Sequence, residues 1–445
     1  MANPPPLDAL AQFAASASAH ACVAHLALHT ADTVIALQAG RATAEGQALR
    51  HFLERTDPGL GGRVAADSAV VRLTEIDDIH RPTAVTVSAL TVPVAVAFAR
   101  DSTAPAQFLD ALYVGQELAL RLARAAGGAR LLTRGQWPSL LVAPFGAAAT
   151  AGRLLGLAPD RMRQALALAI AHVPRQPGRF QGARPGRWLL FGEAVRSGCM
   201  AALAAADGID GDPELLNADW LRSVGAELAA PEKLTSDERL TGGLSIKPHA
   251  SAKQALAAIH GLRALMARHG LRAADIASVE VHVPPAYAVM LDREPPRTSR
   301  LSSLVNAPWQ LALAAVQPEL LDDVARAAWP DNPQLAALAA RVRVLADPAL
   351  DARYPESFPA RLLLSAAGTR HEMLVTHSPG DPELPFDAHR LLDKARRMLG
   401  NGTAFDAVRA VLGLHETPSA VRVLRGVFGY AADGAAPAHG PLHNP

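Results

Sequence analysis

The hydrophobic period of the chain changes near Gly270, and that change limits the fold more than any single motif does. Before it, from Leu7 to about Arg55, from Val92 to Arg124, from Arg161 to His172 and from Trp188 to Asp207, apolar residues recur at helical spacing and alanine is frequent. After it, Ile276-Ala-Ser-Val-Glu-Val-His-Val alternates apolar and polar residues, as a half-buried strand does. Val342 and Val344 continue that alternation, and Arg361 to Thr376 reads as two strands about a turn containing Gly368. Helical spacing interrupts the strands at Pro308–Ala315 and Glu319–Trp329, and it returns from Pro385 onward. The expected architecture is mainly α: a large all-helical domain, residues 1–268 and 395–445, with a smaller α+β lid domain over residues 269–394. A turn-rich connector is expected over Asp57–Asp67, a loop over Gln176–Gly186 and a frayed tail over Ala435–Pro445.

Composition narrows the class. Half of the 445 residues are hydrophobic and 19% are charged, which is enough to build a sizeable core. The 43 basic residues nearly balance 42 acidic ones, so nucleic acid is not an expected partner, nor is an anionic membrane surface. The first residues carry no basic start followed by an apolar run, and no uninterrupted apolar stretch reaches about 18 residues. A cytoplasmic location is expected. Cys22 and Cys199 are too few for a disulfide framework or a zinc site and sit in apolar helical surroundings. Neither a phosphate-binding glycine loop nor a Gly-x-Ser-x-Gly elbow occurs, and the sixteen histidines show no metal-ligand spacing.

Chemistry concentrates in Glu75-Ile-Asp-Asp-Ile-His-Arg, where Asp77, Asp78, His80 and Arg81 crowd five positions between helices. Neighbouring carboxylates beside an imidazole and a guanidinium shift one another's proton affinities, which general acid–base chemistry uses and structural ion pairs also produce. Arg134-Gly-Gln-Trp-Pro-Ser, Gly182-Ala-Arg-Pro-Gly-Arg-Trp, Ser245-Ile-Lys-Pro-His and Asn306-Ala-Pro-Trp each place polar groups next to helix breakers. Singly, each reads as a helix cap or a surface charge. Together they bring cations to several helix starts, an arrangement suited to a carboxylate or phosphate ligand.

In this order and spacing, the chain resembles the MmgE/PrpD family of 2-methylcitrate dehydratases and cis-aconitate decarboxylases over nearly its whole length. Glu75-Ile-Asp-Asp, Gly115-Gln-Glu, Pro144-Phe-Gly-Ala-Ala-Ala with Arg153-Leu-Leu-Gly-Leu, Gly192-Glu-Ala, Ile246-Lys-Pro, Asp275-Ile-Ala-Ser-Val-Glu-Val and Gly380-Asp-Pro carry the likeness. The resemblance implies a helical domain with an α+β lid, a homodimer, and dehydration, decarboxylation or epimerisation of small carboxylates without a metal or organic cofactor. Their shared step is proton transfer at a carbon next to a carboxylate.

Carried over position by position, the resemblance makes Asp77, Asp78, His80 and Lys247 the catalytic candidates. Arg187, Trp137, Ser139, Thr86, His249 and Trp309 become candidates for binding substrate. Thr86 and Trp137 stand where the family has histidines, Arg187 where it has lysine, His249 where it has tyrosine, and Trp309 near another tyrosine position. Tryptophan transfers no proton near neutral pH, and arginine is a permanent cation. The expected activity is therefore that of a divergent lyase or isomerase acting on a small carboxylic acid less polar than methylcitrate. His80 or His249 would supply the lost imidazole. The alternative is an inactive homologue that serves as a carboxylate-binding or protein-interaction scaffold.

Overall fold

The computed structural model describes residues 6–174, 184–292, 300–326 and 330–430. Most of the loop expected over Gln176–Gly186, and the tail expected over Ala435–Pro445, lie outside these residues.

The protein is mainly α with a small α+β part. Three helices, Pro6–Ser16, Val23–Arg41 and Ala44–Thr56, cover the N-terminal stretch, and Thr43 caps the third by accepting from the Gly46 amide at 3.0 Å. The expected connector over Asp57–Asp67 is instead mostly helix, Leu60–Leu73. Its Gly61 and Gly62 suggest a breaker, but a Cβ on Gly62 would lie 1.9 Å from the Asp57 carbonyl oxygen, so close packing selects the glycine there. Tertiary contact overrides the local signal.

At the centre of the larger core is the small-residue helix Pro138–Leu154, packed between helices Pro105–Ala125 and Gly186–Ala206. Glycines on the two flanking helices explain why. A Cβ on Gly115 would fall 1.8 Å from Thr150 Oγ1, and one on Gly198 would fall 2.1 Å from the Pro144 carbonyl oxygen. These helices touch backbone to backbone, which only glycine permits. Helix Gly186–Ala206 is long and apolar enough to span a bilayer by length and composition, yet half of its apolar window is buried inside the molecule.

Among the described residues, six strands form two sheets. A two-stranded ribbon joins β1 (Ile79–His80) to β2 (Leu244–Ser245) antiparallel, with Ile79 opposite Ser245. The second sheet contains β3 (Ile276–Val283), β4 (Val342–Ala346), β5 (Ala360–Ala366) and β6 (Thr369–Val375) in the order β4-β3-β5-β6. Ala367 and Gly368, both at positive φ (49° and 76°), turn β5 into β6. One face of this sheet is covered by helices Lys253–His269 and Ala307–Val316, which gives a second hydrophobic core.

Helix Lys253–His269 belongs to this second core although its sequence reads as a continuation of the helical domain. Helix Ala388–Leu399, which the expected boundary at 394/395 would cut, packs through Leu391 and Ala395 into the first core. Period reports whether a segment is helix or strand, and not which core it joins. The helix expected over Glu319–Trp329 shortens to a 3-10 turn, Pro318–Leu321, among the described residues. Asp322, just beyond it, is drawn into ion pairs with His249 and Arg397.

Candidate active site

Helix Leu60–Leu73 ends at Thr74, and Glu75 then takes a left-handed backbone (φ 57°), a conformation costing a non-glycine residue about 1–2 kcal/mol. The kink turns Glu75, Asp77 and Asp78 inward. All three are buried, with 5%, 1% and 1% of their surfaces exposed. Lys247 arrives from the opposite side on the segment that follows β2. That segment is held where two family-like motifs meet: the Ile246 amide donates to the Gly380 carbonyl at 2.9 Å. Gly380 has φ 90°, and a Cβ there would lie 2.1 Å from the Ile246 carbonyl oxygen.

Glu75 binds three cations. Its Oε1 lies 3.0 Å from Arg72 Nη1 and 3.0 Å from Arg187 Nη2, and its Oε2 accepts from Lys247 Nζ at 3.1 Å. Asp77 Oδ1 stands 3.3 Å from Arg72 Nη1 and 3.5 Å from Lys247 Nζ, while its buried Oδ2 has no hydrogen-bond partner among the described residues. Burial opposes ionisation of Glu75, but Arg72, Lys247 and Arg187 outweigh it and hold the carboxyl well below the usual range. For Asp77 burial prevails over Arg72 and Lys247, and with Glu75 and Asp78 nearby its carboxyl is pushed above the usual range. Trp137 forms a wall: the Arg72 and Arg187 guanidiniums lie over its ring at 5.4 and 6.0 Å, and Arg187 also lies over Trp188 at 4.3 Å.

Asp78 faces the other way. Its Oδ2 meets His29 Nδ1 at 2.7 Å and accepts from Ser88 Oγ, and its Oδ1 accepts from the Ser88 amide at 3.2 Å. Burial pushes this carboxyl up to about 6 despite the Ser88 bonds. Burial, helped by Lys394, takes His29 down to about 3, so its ring is neutral near pH 7 and donates Nδ1–H to ionised Asp78. His25 packs against His29 with ring centroids 4.2 Å apart and the rings tilted by 45°. Below the pair, Lys394 binds Asp32 and donates to the Ile76 carbonyl at 2.8 Å, fixing the backbone between Glu75 and Asp77. The arrangement suits one carboxylate, Asp77, to receive a proton while Asp78 anchors the chain that carries it.

The other expected site residues scatter. His80 Nδ1 bonds Thr83 Oγ1 at 2.9 Å, and burial followed by Arg124 and Arg81 lowers its ring to about 3. No hydrogen bond or ion pair joins His80 to Asp77 or Lys247 among the described residues. His249 pairs with Asp322 at 2.8 Å, next to Arg397, and belongs to a separate cluster. Thr86 and Ser139 bond each other, amide to Oγ at 3.1 Å and hydroxyl to hydroxyl at 3.2 Å, both fully buried. Trp309 is buried in the second core. Arg81 binds Glu383 at 2.8 Å and Asp381 at 3.3 Å, tying the β1 turn to the loop that carries Gly380.

Sequence reasoning missed Arg72 and His29. Arg72 stands three residues before Glu75 on the same helix, a spacing that brings side chains together. His25, His29 and Asp32 recur at helical spacing within an otherwise apolar helix, which was the available signal. As for metal binding, His377, Asp381 and Glu383 bring ligand atoms within 4.8 Å of one another, but Arg81 and Lys253 already neutralise both carboxylates. A cleft of about 450 Å³ lined by Phe13, Tyr113, Arg121 and Arg239 shares no residue with the Glu75 cluster.

Comparison with known proteins gives the same outline. The MmgE/PrpD N-terminal domain matches residues 7–226, and the MmgE/PrpD C-terminal domain matches residues 249–412. Two cis-aconitate decarboxylases, from Aspergillus terreus and from Aspergillus terreus strain NIH 2624 / FGSC A1156, are each 32% identical over 160 residues. The match covers 34% of this chain and 32% of each relative, so the chain spans about a third of the length of the curated relatives it matches.

Proposed function

The chain belongs to the MmgE/PrpD family, and on that premise we propose that it is a lyase of the dehydratase or decarboxylase type acting on a small, partly apolar carboxylic acid. The observation that carries this reading is Asp77. It is a fully buried carboxylate with one unpartnered oxygen, a raised proton affinity and a lysine 3.5 Å away.

In the mechanism we infer, Asp77 Oδ2 takes the proton from the carbon next to the substrate carboxylate. The electron pair left behind spreads into that carboxylate, and Lys247 and Arg187 stabilise the charge that develops there. Loss of hydroxide from the neighbouring carbon, which takes the C–O bonding pair and leaves as water with the proton passed on from Asp77, would complete dehydration. In decarboxylation no proton is removed first: carbon dioxide leaves without the C–C bonding pair, that pair remains on the substrate carbon, and protonated Asp77 delivers a proton to it. Return of the proton to the opposite face would instead give epimerisation. Asp78, held by His29 and Ser88, is a positioning residue that keeps Asp77 aimed. Trp137 and Trp188 make the wall apolar, which supports a substrate less polar than a tricarboxylate. No step in this scheme calls on a metal or organic cofactor.

The test is exchange of the α-proton into deuterated water, followed by NMR for 2-methylcitrate, cis-aconitate and branched or aromatic acids, with wild type and Asp77→Asn. Exchange or turnover that disappears in a folded Asp77→Asn supports the reading. Identical exchange in both proteins would falsify the role of Asp77. A second reading, a non-catalytic carboxylate binder, is favoured by one observation: neutral His80 bonds Thr83 and, among the described residues, makes no hydrogen bond or ion pair with Asp77. Binding of these acids with no exchange in wild type would decide for it. We further propose a cytoplasmic homodimer, for which light scattering should return twice the 46.6 kDa chain mass.

A further inference from the structure

The cleft between helices Pro6–Ser16 and Pro105–Ala125 has a lining of a different kind from the Glu75 cluster. Its volume of about 450 Å³ is of the size that holds a small molecule. Part of the lining is apolar. Leu10 and Phe13 share one face of the first helix, and the Phe13 ring packs against Tyr113 with centroids 6.0 Å apart. Arg121 lies over the same Phe13 ring at 4.7 Å. The segment that carries Asp237 and Arg239 is pinned to helix Pro105–Ala125. The Glu238 carbonyl accepts from Arg121 Nη2 at 3.4 Å, and buried Glu117 accepts from the Leu240 and Thr241 amides, both at 2.8 Å. Side chains on a backbone held in this way lose less freedom when a ligand arrives.

Most charges around the cleft are already paired. Arg121 Nε meets Glu117 Oε2 at 3.4 Å, Arg124 meets Glu238 at 2.7 Å, Arg153 meets Asp110 at 3.3 Å and Arg163 meets Asp8 at 3.2 Å. Two lining charges remain, Arg239 and Asp237. Both are exposed, and neither makes an ion pair or a side-chain hydrogen bond among the described residues. The Tyr113 hydroxyl is likewise without a hydrogen-bond partner among the described residues. The cleft thus presents one unpaired cation and one unpaired anion beside an aromatic and aliphatic surface.

We propose that this cleft is a second binding site, which takes an α-amino acid with an aromatic side chain. Arg239 receives the carboxylate, with the Tyr113 hydroxyl as a further donor, and Asp237 receives the ammonium group. Phe13 and Leu10 receive the ring. A zwitterion matches both unpaired charges at once. A plain carboxylic acid would leave Asp237 beside an added negative charge, and a plain amine would leave Arg239 beside an added positive one. The inference is independent of the lyase reading, because the cleft shares no residue with the Glu75 cluster.

Fluorine NMR titration of the full chain tests the proposal with three ligands: para-fluorophenylalanine, para-fluorophenylpropionate, which lacks the ammonium group, and para-fluorophenethylamine, which lacks the carboxylate. Wild type is expected to bind the amino acid about tenfold more tightly than either analogue, the effect of one charge-assisted contact. Arg239→Gln should abolish the preference over the amine and keep that over the propionate, and Asp237→Asn should do the converse. Both residues are exposed, so each variant is expected to keep its fold. Asp77→Asn should titrate with the amino acid as wild type does, which separates the cleft from the Glu75 cluster. No binding of the amino acid to wild type, equal affinity for all three ligands, preferences that persist in both cleft variants, or binding lost in Asp77→Asn overturns the proposal. Both preferences intact while no acid exchanges an α-proton would sink the lyase reading and leave this site standing. Exchange intact with no preference does the reverse.

Discussion

Replacing Lys247 by methionine keeps most of the side-chain volume and removes one charge from a site with almost no access to water. Lys247 is 1% exposed and stands 3.1 Å from Glu75 and 3.5 Å from Asp77. Without it, Asp77 depends on Arg72, and Glu75 keeps two of its three cations, Arg72 and Arg187. Breaking a buried pair by removing one partner costs about 3–5 kcal/mol, mostly from the partner left short of compensation. At about 2 °C per kcal/mol for a large chain, the melting temperature should fall by roughly 6–10 °C. Turnover should fall by about 10²–10³, the usual cost of losing one group that stabilises developing negative charge. The acid limb of the rate profile should also move to higher pH, because Asp77 loses a cation that favours its ionised form. Differential scanning calorimetry and pH–rate profiles read these effects. Adding Glu75→Gln to Lys247→Met removes the charge left short, so the double variant should melt above the single one. A fall below about 2 °C for the single variant, or a double variant no more stable than the single, would refute the charge coupling on which the site is built.

Three further outcomes follow from particular contacts. His29 is lowered to about 3 from the ordinary 6.5, so its contribution to stability is complete above pH 6.5 and is lost as pH falls toward 3; denaturant titrations should show the advantage of wild type over His29→Gln growing between pH 4 and 6.5, by at most about 1.4 kcal/mol per pH unit. Arg81→Met leaves Glu383 to His377 and Asp381 to Lys253 and Ser378, so amide exchange over residues 377–384 should quicken and stability should drop by about 2 kcal/mol, whereas unchanged exchange there would mean that Arg81 does not hold the loop. Thr86→His puts back a family histidine, but Thr86 is fully buried against Ser139, so the variant should lose about 1–3 kcal/mol and gain no activity; a gain in turnover would show room for an imidazole at that position.

Much of the site was legible in the chain and part of it was not. Asp77, Asp78, Lys247 and Arg187 stood out because charges beside helix breakers are conspicuous in an alanine-rich sequence, and the structure joins Asp77 and Lys247 directly and links Arg187 to both through Glu75. Asp78 turned to His29, 49 residues earlier, because the kink at Glu75 sends successive carboxylates to different neighbours. His80 and His249 looked available as imidazoles from their positions. Their partners, Thr83 and Asp322, could be known only from the packed structure. Glu75 looked like a third acid of the cluster, and nothing in its local sequence said that it would hold every cation there.

The sequence by itself determined the succession of helix and strand, the mainly α class and the family, because side-chain periodicity and motif order are properties of the chain read along its length. It also marked the stretch around Asp77, which the structure shows to be a buried charge cluster. The tertiary structure alone decided which core helix Lys253–His269 joins, which acid meets which base, and that one of three buried acids contacts Arg72, Arg187 and Lys247 together. Those outcomes depend on distances between residues tens to hundreds of positions apart. Burial then amplifies each distance, since a charge removed from water must find its partner within a few ångströms.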